Sequence, residues 1–325
     1  MEKERILEIS DLELHYFTHK GVVKAVDAIT FDVRRGETLG VVGESGCGKT
    51  TMGTALLNMP TPPGRIVGGR ILMDGQDILK LSENEIRRRV RWESISMVFQ
   101  GAMNCLTPVY TIEKQMRETL QQHRQMERQE ARERMKNYLN LVGLSDDVLR
   151  RYPHELSGGM KQRVVIATAL FLEPKVIICD EPTTALDVVV QAQIINLLKD
   201  LKEQVGVSFI FITHDLSIEA EVSDRILVMY AGRIVELGTN EQIYGPQGPA
   251  HPYTQRLLAA TPRLHEEVEA LAFIPGTPPD LIDPPPGCRF HPRCSVVMER
   301  CAHDDVPLRE IEPDHMVACW RCFDE

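Results

Sequence analysis

Gly43-Glu44-Ser45-Gly46-Cys47-Gly48-Lys49-Thr50 fits the pattern G-x-x-x-x-G-K-S/T, and this octapeptide restricts the fold more than any other part of the chain. The apolar run Leu39–Val42 precedes it and Met52–Leu57 follows, so the local reading is strand, loop, helix. Glycines let a backbone turn successive N–H groups onto phosphate oxygens, and the N-terminus of the following helix adds the positive end of a dipole. In such a loop Lys49 reaches the β- and γ-phosphates, and the Thr50 hydroxyl serves a Mg²⁺ ion. Thr51 is grouped with the loop as a nucleotide-binding residue.

Elsewhere the apolar patterning alternates between strand and helix. Residues 5–40 read as short strands, with Ile29, Phe31 and Val33 alternating with polar neighbours. Ile95–Phe99 is another strand candidate. Val176–Cys179 is a buried strand that delivers Asp180 and Glu181 at its carboxyl end, and Val207–Ile212 delivers Thr213-His214-Asp215. Residues 112–140 are charge-rich and read as helical. Ile194, Leu198, Leu201 and Val205 form one apolar helical stripe. Alternating strands and helices predict an α/β core with a mostly parallel sheet. In such sheets ligands sit at the carboxyl ends of strands, where Gly43, Asp180 and His214 all fall.

The 325 residues carry a net charge of −10, so there is no broad basic field and no nucleic-acid partner is expected. Arg87-Arg88-Arg89 lies among Glu83, Glu85 and Glu93 and reads as a solvated helix face. Seven charged residues between Glu2 and Glu13 leave no apolar segment of the kind that a secretory signal requires. No apolar run approaches the roughly 20 residues needed to span a bilayer. Composition shifts at Gly245-Pro246-Gln247-Gly248-Pro249. Beyond it prolines are frequent, and five of the eight cysteines fall in the last 38 residues. The expected organisation is a nucleotide-binding domain over 1–240 and a Pro/Cys-rich extension over 241–325. Cys47, Cys105 and Cys179 are read as packing thiols.

Leu156-Ser157-Gly158-Gly159-Met160-Lys161-Gln162-Arg163 resembles the signature motif of ATP-binding cassette (ABC) ATPases. Together with the phosphate loop and the acidic strand end, it makes residues 5–240 resemble that family motif by motif. The resemblance implies a RecA-like, mostly parallel core, an antiparallel β subdomain and a helical subdomain over about 101–160. It implies that Asp180 holds Mg²⁺ with Thr50 and Gln100. Glu181 becomes the general base, His214 the switch histidine and Ala185-Leu186-Asp187 the D-loop. Tyr16 is the aromatic that stacks on adenine, with Phe17 second. The helical run Met160–Leu172 makes the Gly-Gly pair a helix N-terminus aimed at an anion, and the resemblance implies that Ser157, Gly158, Gly159 and Gln162 cover the ATP of a second chain. Gly101 and Asn104-Cys105-Leu106-Thr107-Pro108 depart from the common importer pattern around Gln100, where the family contacts its membrane subunit.

His251-Pro252-Tyr253-Thr254 resembles an element of cassettes in the oligopeptide/dipeptide/nickel importer family. Cys288, Cys294, Cys301 and Cys319, spaced C-x5-C-x6-C-x17-C, resemble that family's C-terminal segment. The resemblance implies a 4Fe–4S cluster on these thiols, with Zn²⁺ as the alternative that a four-thiolate set also accepts. Cys322 is an extra thiol. The implied protein is a peripheral ATPase subunit on the cytoplasmic face of the cell membrane, powering an importer for di- or oligopeptides. Its partners would be a second, non-identical cassette, two transmembrane permease subunits and an extracytoplasmic solute-binding protein. The same importer class also carries nickel chelates or oligosaccharides, and a soluble non-transport ABC ATPase is the distant alternative.

Overall fold

The computed structural model describes residues 4–260 and 274–323. Contacts divide the chain into two units: one built from residues 4–6, 33–37 and 73–211, the other from 7–32, 38–72 and the described residues beyond 211.

In the first unit the strands Ile95–Val98 and Val176–Asp180 pair in parallel, Ile95 opposite Val176 and Val98 opposite Cys179. Ser208–Ile212 lies next in the order. Every residue of the three is buried, which is why they read as continuous apolar runs: a parallel sheet is covered on both faces. The charge-rich stretch over 112–140 is two helices rather than one. Ile112–His123 buries Ile112, Met116 and Leu120, and Arg128–Leu141 buries Ala131, Met135 and Leu139, each at i, i+4 spacing. Between them Arg124 takes an extended backbone, and its guanidinium donates to Glu93 and to the carbonyl of Leu172. On Val188–Val205 the apolar stripe holds at Ile194, Leu198 and Leu201, but Val205 is 40% exposed. The helix ends there on left-handed Gly206, and its last turn runs into solvent. Arg87, Arg88 and Arg89 are exposed on a turn anchored by buried Ile86 and Val90, as a solvated face should be. Cys179 is buried, but Cys105 is exposed on a short turn and is not a packing thiol.

In the second unit the expected short strands near the start are two long ones. Arg5–Thr18 and Gly21–Arg34 each span 14 residues and form a hairpin across His19-Lys20, with Gly64–Met73 on the other side of Arg5–Thr18. Thr38–Val42 pairs in parallel with Arg225–Tyr230, Leu39 opposite Arg225 and Val42 opposite Val228. Arg225–Tyr230 turns back antiparallel into Arg233–Thr239 through Ala231-Gly232. Both turn residues have positive φ, 48° and 84°, matching the right-handed twist of a two-residue hairpin. The extension then continues this sheet: His315–Val317 pairs with Arg233–Thr239, and Arg309–Glu312 pairs with His315–Val317. Val42, Val228 and Tyr230 share an apolar cluster with Tyr253 and Phe290 of the extension. Burial of these apolar side chains helps to fix the extension to its unit.

Candidate functional site

The phosphate loop joins Val42 to the helix Lys49–Leu56. Gly43 and Gly48 have φ of 149° and 107°, and a Cβ on either would meet a backbone oxygen at 2.2 Å, of Met229 and Ala25 respectively. Gly46, at φ 80°, has open space around it. The first two glycines are therefore demanded by close packing and the third by its turn. No side chain caps the helix N-terminus at Gly48. Lys49 is only 8% exposed, and its Nζ donates to the carbonyls of Gly43 at 2.7 Å and Glu44 at 3.1 Å. The ammonium is thus held inside the loop's curve, where phosphate oxygens could take the place of those carbonyls. Buried Cys47 lies beneath it at 3.7 Å; burial raises its thiol pKa despite the nearby Lys49. Ser45 and Thr50 are exposed. Tyr16 is half-buried, with its hydroxyl 3.3 Å from Thr51 Oγ1. Phe17 is 43% exposed under the guanidinium of Arg65.

His214 belongs to the same unit and is exposed. The Thr213 N–H donates to the Val41 carbonyl, and Asp215 caps the helix Leu216–Val222 by accepting from Ser217 and Ile218. The histidine is therefore fixed on both sides, next to the strand that feeds the phosphate loop.

The first unit gathers the other motifs. Asp180 is 1% exposed at the end of its strand. Glu181 turns the chain out of the strand with φ 48°, a left-handed conformation that costs a non-glycine residue about 1 kcal/mol or more. Gln100 Nε2 donates to Glu181 Oε2 at 2.8 Å, and Thr184 Oγ1 to the same oxygen at 3.0 Å. Ser157 caps Gly158–Leu170 by accepting the Met160 N–H at 3.3 Å. Gly159 backs onto the next helix, where a Cβ would come within 2.7 Å of Val190. Gly158 is exposed, whereas Gln162 is buried on the inner side of the helix. Asp187 caps Val188–Val205 by accepting the Val190 N–H. The oxygen donors Thr50, Gln100 and Asp180 suit Mg²⁺ chemically; Thr50 belongs to the second unit, the other two to the first.

The extension carries contacts to the phosphate loop that motif reading did not assign to its residues. Buried Tyr253 accepts the Glu44 N–H of the phosphate loop on its hydroxyl at 2.9 Å. Arg293 makes a two-pronged ion pair with Glu44, at 2.7 and 3.0 Å. Arg289 pairs with Asp27. Burial lowers the pKa of His251 to about 4, so it is neutral at pH 7, and its Nδ1 accepts the Tyr253 N–H at 3.0 Å. All eight cysteines are free thiols. Burial pushes the Cys288 thiol up to about 12, with Cys301, Cys319 and Cys294 adding to the shift, so the four thiols share one locus. The Cys288 N–H donates to the Cys301 carbonyl, and a short turn at His291–Arg293 links Cys288 to Cys294. Cys322 interacts directly with Cys319. Four soft donors at one locus fit a thiolate-bound metal group.

Residues 26–184 match the ABC transporter model and residues 235–301 the model for the oligopeptide/dipeptide transporter C-terminal region. The chain is 45% identical over 322 residues to the dipeptide transport ATP-binding protein DppD of Bacillus subtilis, covering 98% of this chain and 95% of the relative. It is 44% identical to the oligopeptide transport ATP-binding protein OppD of Escherichia coli, covering 100% and 95%. Among solved structures it resembles the dimeric ABC transporter cassette MJ0796, with TM-score 0.63 and 27% identity over 73% of this chain and all of that one. It also resembles cbiO1 from Clostridium perfringens, part of the transporter complex cbiONQ, with TM-score 0.66 and 30% identity over 75% and 92%. No helix among the described residues is long and apolar enough to cross a membrane. The chain belongs to the ABC transporter ATPases, among the ATP-binding proteins that carry the oligopeptide/dipeptide-transporter C-terminal region.

Proposed function

We propose that this chain hydrolyses ATP to drive an importer of dipeptides or oligopeptides. The observation that carries the reading is one unit holding both a phosphate loop with Lys49 inside it and the oligopeptide/dipeptide-type extension. The loop backbone over 43–48, with Lys49, Thr50 and Thr51, binds the phosphates, and Tyr16 stacks on adenine. Thr50, Asp180 and Gln100 hold Mg²⁺. Glu181 accepts a proton from the water that attacks the γ-phosphorus, His214 contacts the γ-phosphate, and ADP leaves. Ser157, Gly158, Gly159 and Gln162 cover the ATP of a second cassette. The dimeric form of the MJ0796 cassette, and its post-hydrolysis dimer with ADP and Pi, support that pairing.

The names of the relatives support a peptide cargo. The partners of such an importer subunit are a solute-binding protein, two permease subunits and a second, non-identical cassette. On this reading the chain is a peripheral subunit on the cytoplasmic face of a membrane. The nucleotide-binding domain ends near residue 240, where the extension begins. Cys288, Cys294, Cys301 and Cys319 hold a 4Fe–4S cluster. A single tetrahedral zinc is the alternative that four thiolates also accept.

The test is Glu181→Gln in the complete complex with the partner's site disabled. ATP should still bind while turnover falls by about a thousandfold; near-wild-type turnover would remove Glu181 from the role of base.

A further inference from the structure

Glu44 is an odd neighbour for a polyphosphate. It is the second residue of the phosphate loop, and its carboxylate is negative where further negative charge must bind. Three contacts hold it. Its N–H donates to Tyr253, its carbonyl accepts from Lys49, and its carboxylate is gripped through both oxygens by Arg293. The Arg293 side chain is 6% exposed, and the same guanidinium donates to the Tyr230 hydroxyl at 3.2 Å and the Pro275 carbonyl at 2.9 Å. A fork fixed on several sides can hold a carboxylate in one orientation and cancel its charge.

We propose that Arg293 is a positioning residue of the phosphate loop: it neutralises Glu44 and turns it away, so that the extension sets the affinity of the loop for polyphosphate. The proposal rests on the reading of residues 43–50 as the ATP phosphate loop. It makes the extension part of the nucleotide site.

The experiment measures binding of ATP, ADP and AMP to the full chain at low salt for Arg293→Met, Arg293→Lys, Glu44→Gln, the Arg293→Met/Glu44→Gln double variant and Lys49→Ala. Arg293→Met should weaken ATP by about tenfold, ADP less and AMP little, because the unmasked carboxylate repels in proportion to phosphate charge. Arg293→Lys should fall between, keeping the charge without the fork. Glu44→Gln should tighten ATP by about threefold, and in the double variant should recover most of the Arg293→Met loss. A merely structural role for Arg293 would weaken all three nucleotides alike and leave the double variant as poor as Arg293→Met; either result overturns the proposal. Should Arg293→Met fail to fold, Glu44→Gln decides: unchanged or weaker ATP binding overturns it. Wild-type binding by Lys49→Ala would instead defeat the phosphate-loop reading. Loss with Lys49→Ala beside an indifferent Arg293→Met defeats only the present proposal.

Discussion

The carboxyl of Glu219 fills the space that a side chain on Gly40 would need: a Cβ built there would lie 1.5 Å from Glu219 Oε1 and 2.5 Å from Ser223 Oγ. Gly40 lies in the strand that leads into the phosphate loop, and Glu219 in the helix Leu216–Val222, four residues past its cap Asp215. Glu219 is fully buried, and Ser223 donates to its Oε1.

Gly40→Ala should therefore destabilise the protein by about 3 kcal/mol, as overpacking a closed core does. Glu219→Ala in the same chain should return most of that loss by vacating the space. Chemical denaturation of the single and double variants measures it; additive losses would show that the two residues do not share one space.

Burial pushes the Glu219 pKa up to about 8 from an ordinary value near 4.5. The folded protein thus binds a proton that the unfolded chain has released, and stability falls as pH rises from about 4.5 to 8. Glu219→Gln keeps a polar partner for Ser223 without a charge to desolvate. It should flatten that part of the stability–pH curve and be the more stable form at pH 8 by on the order of a few kcal/mol. Parallel curves for wild type and variant would assign the pH dependence elsewhere.

Ser157 caps its own helix and is proposed to cover a second chain's ATP, and the two roles can be separated. Aspartate is as good a cap as serine. Ser157→Asp should keep the melting temperature within about a degree or two while setting a carboxylate against the partner's γ-phosphate. ATP-dependent pairing of cassettes in a Glu181→Gln background, followed by size-exclusion chromatography, should be lost. Retained pairing would contradict the cross-chain role.

Anaerobically purified protein should contain iron and sulfide and absorb broadly in the visible range, and Cys288→Ser should lose both. Zinc in place of iron would select the alternative metal. Protein free of either would leave the four thiols as plain residues.

The nucleotide motifs were legible because each depends on contiguous residues. Gly43 and Gly48 need their conformations whatever the rest of the chain does, and the run Val176–Cys179 announces a doubly covered strand. Longer-range features left weaker marks. The break at Arg124 follows from Glu93 and the Leu172 carbonyl, neither near it in sequence. Val205 continues the helical period but lies at a helix end that projects into solvent. Arg293 and Glu44 are 249 positions apart. Their only local signals were a carboxylate inside a phosphate loop and an arginine between two thiols. Glu219 lies three positions from buried Leu216 and Val222, but a glutamate in a short helix is ordinarily exposed and so drew no notice.

The bond from Gln100 to Glu181 also ties two strand ends together. Gln100 follows Ile95–Val98 and Glu181 follows Val176–Asp180, and those strands pair in parallel. A push on either end is passed to the other through one amide, so these two motifs, 81 positions apart, move as neighbours.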